Sequence, residues 1–186
     1  MKYNPDVHHR HSIRLKHYDY SRNGAYFVTL CTFDRGCYFD LFPQLREIIE
    51  GEWHKIPERF PNVELGEYVV MPNHFHGIVV IHDRRDTPCG HPDPCGYPVP
   101  TRVPLGDIVG AYKSLCVNAW LKVIKTENIN TRAKFWQDNY YEHVIRNEDE
   151  SDRIRQYIAN NPLQWELDRE NPAQSKQQPQ PVKWMV

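Results

Sequence analysis

No run of apolar residues in this 186-residue chain approaches the roughly 20 that a membrane-spanning helix needs. The first residues, Met1-Lys2-Tyr3-Asn4-Pro5, lack the apolar region of a secretory signal. These two absences set the expectation of a cytoplasmic protein with no membrane partner. Useful cysteine patterns are missing too. Cys31, Cys37, Cys89, Cys95 and Cys116 are odd in number and scattered, which excludes a disulfide framework and leaves reduced thiols as the default. The spacing from Cys89 to Cys95 matches no common zinc ligand pair, and no second cysteine pair follows it. Nor is there an excess of charge: Lys and Arg total 23 against 24 Asp and Glu, a formal net charge of −1. A protein that coats nucleic acid by bulk positive charge is thereby excluded, so any such contact must come from a local patch.

What is present, 40% hydrophobic and 25% charged residues, is the composition of a soluble globular protein. At this length a single domain with one core is expected, spanning residues 1–167. Its first 22 residues form a basic arm in which cations interleave with aromatic and imidazole rings, a composition suited to phosphates and bases. Arg10, Arg14, Lys16 and Arg22 are the candidate DNA contacts there, although a solvated arm has the same composition. Residues 83–104 hold Pro88, Pro92, Pro94, Pro98, Pro100 and Pro104, too many for regular structure, and read as a loop insert. The polar segment 168–186 reads as a disordered tail.

Periodicity orders the rest. Gly24 to Phe33 is dense in β-branched and aromatic residues and predicts a central strand. Leu41, Leu45, Ile48, Ile49 and Trp53 fall at helical spacing and predict a helix from Leu41 to Ile56. Two strands follow, Val63 to Val70 and His74 to His82, joined by a turn at Pro72-Asn73. A second helix is predicted over 105–121, with Lys113 on its solvent side as a further candidate phosphate contact. An aromatic strand starts near Tyr140. Asn147 then caps a final helix that is acidic in its first turn and ends before Pro162. The order βαββαβ predicts a ferredoxin-like α+β fold, an antiparallel sheet with helices on one face, plus that C-terminal helix.

Two features carry chemistry. His74 and His76, two apart on a strand, point to the same face with Cβ atoms roughly 6–7 Å apart, while Phe75 turns away. That is a chelating geometry, and equally the geometry of two ordinary polar-face residues. Gly77 beside them would let a backbone or a ligand approach closely. On the last helix Tyr157 and Asn161 are four apart and share a face, so a phenol and an amide oxygen are presented together. Tyr157 could instead pack with Ile154 and Ile158 as core. Spacing leaves both pairs of readings open.

The ordered set Met71-Pro72-Asn73-His74-Phe75-His76, Phe135-Trp136-Gln137, Tyr141-Glu142-His143-Val144-Ile145-Arg146 and Tyr157-Ile158-Ala159-Asn160-Asn161-Pro162 resembles the REP-associated tyrosine transposases, single-tyrosine members of the HUH endonucleases. The resemblance covers residues 20–165. It implies that His74 and His76 bind a divalent metal, that Asn161 is the third ligand, and that Tyr157 is the nucleophile, with Tyr140 and Tyr141 as rival tyrosines. Nitrogen and oxygen donors with a substrate phosphate suit Mg²⁺ or Mn²⁺. The implied reaction cuts and rejoins single-stranded DNA beside hairpin-forming repeats through a 5′-phosphotyrosine, by a monomer or a homodimer. In dimeric relatives the tyrosine helix can serve the partner's site. Two other readings stand beside it: a non-catalytic ferredoxin-like module that binds structured single strands, and a zinc-dependent hydrolase, for which the chain offers no third strong ligand.

Overall fold

Along β1 (Gly24–Cys31) two sets of side chains alternate, and each set enters a different core. Tyr26, Val28 and Leu30 enter the larger one, while Ala25 and Phe27 enter the smaller. The computed structural model describes residues 18–82, 103–168 and 171–174. In it β2 (Val63–Val70), β3 (His74–Ile81) and β4 (Tyr141–Ile145) complete a sheet of order β2-β3-β1-β4, with every neighbouring pair antiparallel. This is the ferredoxin-like arrangement that the βαββαβ order predicts.

The larger core lies under two helices. Between the short helices α1 (Tyr38–Leu41) and α3 (Ile56–Arg59), α2 (Pro43–His54) buries Leu45, Ile49 and Trp53. Pro43 opens α2 at a position where a missing N–H costs nothing. The next helix, α4 (Leu105–Glu127), buries Leu105, Ile108, Val109, Tyr112, Cys116 and Trp120. It is six residues longer than its periodicity predicts and stops where Asn128 turns left-handed at φ 53°. Tyr112 Oη donates to Ile49 O across 2.9 Å and ties α4 to α2.

The opposite face of the sheet is also covered. Asn147 caps α5 (Glu148–Asn160) as the sequence predicts, its side chain accepting from the Glu150 amide at 2.9 Å. Ile154 and Ile158 of α5 then pack on Phe27, Ile78 and Ile145. Arg155 reaches Glu67 on β2 at 3.3 Å, and a 3-10 turn over Asn161–Leu167 carries the chain on past Pro162. Helices therefore stand on both faces, and α5 covers the one opposite α2 and α4. Its apolar stripe at 154 and 158 has its partners in Phe27 and Ile78, a pairing too distant along the chain for periodicity to show.

Gly77 serves a purpose other than the expected one. A Cβ there would lie 2.6 Å from Trp53 Cζ2, so the missing side chain makes room for the α2 indole on the larger core. Strand alternation explains this, because residue 77 faces away from His76.

Residues 1–17, with Arg10, Arg14 and Lys16, lie outside the described residues, as do 83–102 of the Pro-rich insert. Of the segment 168–186, Asp168 and Asn171 to Gln174 are described, the last three in a 3-10 turn. Among the described residues no helix is long and apolar enough to cross a membrane.

Candidate active site

The β2–β3 hairpin delivers His74 and His76 to the α5 side of the sheet, where their rings lie 4.5 Å apart between centroids. They are 0% and 2% exposed. Imidazoles so deeply buried need polar partners, and each ring has one on its Nδ1. Thr29 Oγ1, directly across on β1, sits 2.8 Å from His76 Nδ1. Asn73 Oδ1 sits 2.8 Å from His74 Nδ1.

The second contact fixes a tautomer. Asn73 Nδ2 donates to Arg35 O at 3.0 Å, so it is the amide oxygen that faces His74, and that oxygen can only accept. His74 Nδ1 therefore carries a proton, and Nε2 is the ring nitrogen turned into the site. His76 satisfies its contacts in either tautomer. The loop that Asn73 holds is itself strained. Asp34 and Arg35 are both left-handed, at φ 50° and 54°, a conformation that costs an L-residue on the order of 1–2 kcal/mol. Thr32 Oγ1, 2.7 Å from Gly36 O and 2.9 Å from Asn73 O, clamps the loop to the histidine turn.

Helix α5 brings Tyr157. Its Oη is 3.3 Å from His76 Nε2, within a single chain. Phe27 holds both rings in place, stacked on His76 at 5.2 Å and edge-on to Tyr157 at 6.1 Å. Complete burial of Phe27 contributes roughly 1.5–3 kcal/mol to this packing. The ring of Tyr157 packs on the smaller core while its hydroxyl reaches His76. Of the rival tyrosines, Tyr141 shares this face but lies two strands from His76, about 10 Å at the usual strand spacing. Tyr140 packs against the larger core on the other side.

Asn161 follows Tyr157 by one turn. It is 3% exposed, and its buried Oδ1 has no hydrogen-bond partner among the described residues. An orphaned oxygen one helical turn past the tyrosine that reaches His76 suits a hard divalent cation, which favours oxygen donors. No three His, Cys, Asp or Glu side chains form a metal-binding group among the described residues, so an amide oxygen or a shifted carboxylate must complete any such site.

The other candidates lie apart. Lys113 stands on α4, on the far side of the sheet, and donates to the backbone carbonyls of Gln137 and Asp138. Burial lowers its pKa, and its ammonium is tied to these two carbonyls. Arg22 is exposed before the start of β1, the strand whose far end faces His74. At strand rise this separates it from the histidines by about 25 Å.

Comparison with known proteins agrees with the architecture. No protein-family model matches the chain. A Haemophilus influenzae protein carrying only the name "Uncharacterized protein" is 39% identical over 182 residues, which is 90% of this chain and 96% of the relative. The chain belongs to its family. A solved REP-associated tyrosine transposase bound to a REP hairpin superposes with a TM-score of 0.53 at 20% identity, covering 82% of this chain and 73% of that one. The fold is that of a REP-associated tyrosine transposase. A second solved structure, from Deinococcus radiodurans and provisionally named a transposase, reaches a TM-score of 0.38 at 19% identity and adds no weight.

Three residues at the site escaped the sequence reading. Thr29 sits inside a strand with nothing to mark it. Asn73 has the signature of a turn residue, and only its position before His74 in the Met-Pro-Asn-His-Phe-His run could have flagged it. Asp168, placed in the polar tail, brings Oδ2 to 3.7 Å from His74 Nε2.

Proposed function

We propose that this protein is a metal-dependent single-stranded DNA endonuclease and strand transferase, acting beside hairpin-forming repeats through a 5′-phosphotyrosine on Tyr157. One observation carries the reading: the Tyr157 hydroxyl stands 3.3 Å from His76 Nε2, and His74 lies beside His76 with Nε2 turned inward. His74, His76 and the Asn161 amide oxygen would hold Mg²⁺ or Mn²⁺, with the partners on each Nδ1 orienting the rings. A bound cation would supply Lewis acidity at the scissile phosphate.

The covalent step belongs to Tyr157. Its oxygen forms the bond to phosphorus, the bond from phosphorus to the 3′ oxygen breaks, and the released strand ends in a 3′-hydroxyl. The phenol proton leaves toward solvent, to which Tyr157 is half open. Because the phosphotyrosine is an ester like the one it replaced, attack by a new 3′-hydroxyl joins strands and frees the tyrosine. Tyr157 and His76 meet within one chain, which supports a site assembled in cis, in a monomer or in each half of a homodimer. The solved neighbour was captured on a REP hairpin, which supports a folded single strand as the substrate class here. The basic arm, with Arg10, Arg14, Lys16 and Arg22, would hold the hairpin's phosphates.

The test is cleavage of a single-stranded oligonucleotide containing a hairpin, with Mn²⁺ or with EDTA. Cutting that requires the metal and disappears in His76→Ala is expected. Binding of the hairpin without any cutting under a range of repeat sequences would favour a non-catalytic binding module instead.

A further inference from the structure

The segment that directly follows the tyrosine helix reaches the histidine pair. Within the 3-10 turn Asn161–Leu167, Trp165 sets its ring 6.0 Å from that of His74. The chain then folds back through two hydrogen bonds, Asp168 N to Trp165 O at 3.1 Å and Asn171 N to Asp168 O at 2.9 Å, and a third from Asn171 Nδ2 to Trp165 O at 3.0 Å. These place the Asp168 carboxylate, only 10% exposed, at 3.7 Å from His74 Nε2.

His74 Nε2 and the Asp168 carboxylate oxygen face one another there across a gap too wide for a hydrogen bond. A divalent cation set between them would be held by both. Donor atoms on one octahedral Mg²⁺, with bonds of 2.0–2.1 Å, lie about 3 Å apart when adjacent and about 4 Å apart when opposite, and 3.7 Å falls between. Charge supports the same conclusion. Two neutral imidazoles and an amide oxygen offer no negative charge, whereas hard cations are held through carboxylates.

We propose that Asp168 is a further metal ligand, swinging inward on binding to complete a set with His74, His76 and Asn161. The proposal rests on the metal-dependent reading of the histidine site and extends it: the segment past the tyrosine helix becomes part of the active centre. Metal preference follows, since an added carboxylate shifts the donor set further toward Mg²⁺ and Mn²⁺ and away from zinc.

The experiment is a Mn²⁺ titration of the full-length protein without DNA, with free Mn²⁺ read by electron paramagnetic resonance. Wild type, Asp168→Asn, Asp168→Glu and His76→Ala are compared. The expected result is one bound ion in wild type, an affinity lower by about tenfold or more in Asp168→Asn, and none in His76→Ala; even outer partners of metal ligands act on that scale. Asp168→Glu should recover part of the loss. Binding by Asp168→Asn as tight as wild type, or tighter, would overturn the proposal while leaving the histidine site standing, and would mean that the carboxylate only pairs with a charged His74. No binding by wild type would remove the metal reading itself. If Asp168→Asn does not fold, Asp168→Cys with Cd²⁺ decides: a thiolate-to-cadmium absorption band absent from wild type supports ligation, and its absence refutes it.

Discussion

Asn73 Oδ1 accepts from His74 Nδ1 across 2.8 Å, and this contact decides which nitrogen of the ring faces the site. The same amide donates to Arg35 O, so one side chain couples a strained loop to a candidate metal ligand. Replacing Asn73 by Ala should weaken Mn²⁺ binding by roughly 10- to 100-fold, the usual effect of losing such an outer partner. It should also lower stability by about 1–3 kcal/mol, because Arg35 O and His74 lose buried hydrogen bonds. Unchanged Mn²⁺ affinity in a folded Asn73→Ala protein would show that the contact does not orient the ring.

Gly77→Ala separates the two faces of β3. The new methyl would press on Trp53 in the larger core, so urea unfolding should show a loss of about 1–3 kcal/mol from overpacking. Mn²⁺ affinity should hold, because the side chain at 77 points away from the histidines. A fall in affinity with no loss of stability would contradict this placement.

Glu150 gives a pH signature. Burial works against its ionisation, but the Arg146 amide, the His143 ring and the Arg146 charge outweigh burial and hold its pKa below the ordinary 4.5. A carboxyl depressed in the folded state stabilises fully above its unfolded value, and that contribution is lost as pH falls through the folded one. Wild type should therefore melt above Glu150→Gln near neutral pH, and the gap should close in strong acid. A gap that widens on acidification would reverse the assignment.

Lys113 tests what the sequence could not see. It was a natural phosphate contact by spacing, yet it is tied to the carbonyls of Gln137 and Asp138 on the far side of the sheet. Lys113→Met should destabilise the fold and leave the salt dependence of DNA binding unchanged. A slope reduced by about 0.7, the share of one single-strand phosphate contact, would restore its role in binding.

The split between what was legible and what was not follows range along the chain. Hydrophobic periodicity predicted β1, α2, the β2–β3 pair, α4 and β4, and Asn147 with its acidic first turn predicted α5, because these signals are local. The ferredoxin-like order followed from them. Side-chain alternation even placed Phe75 correctly, packed on Trp53 at 4.7 Å. What failed to show was long-range: Trp53 filling the space above Gly77, α5 closing over Phe27 and Ile78, and Thr29 meeting a histidine 47 residues away. Asp168 was hidden for a different reason, since a polar, proline-containing tail has no pattern to reveal that its first residue is anchored through Trp165.

The central claim is that Tyr157 attacks phosphorus. Tyr157→Phe keeps the ring that packs on Phe27 and His76 and removes only the hydroxyl, so the protein should fold and melt as wild type does within about 1.5 kcal/mol. The deciding measurement is a denaturing gel of protein incubated with labelled hairpin single-stranded DNA and Mn²⁺, followed by peptide mapping of any covalent species. A 5′-linked adduct on Tyr157 that vanishes in Tyr157→Phe is the predicted result; an adduct that persists in that variant, or maps to Tyr140 or Tyr141, contradicts it.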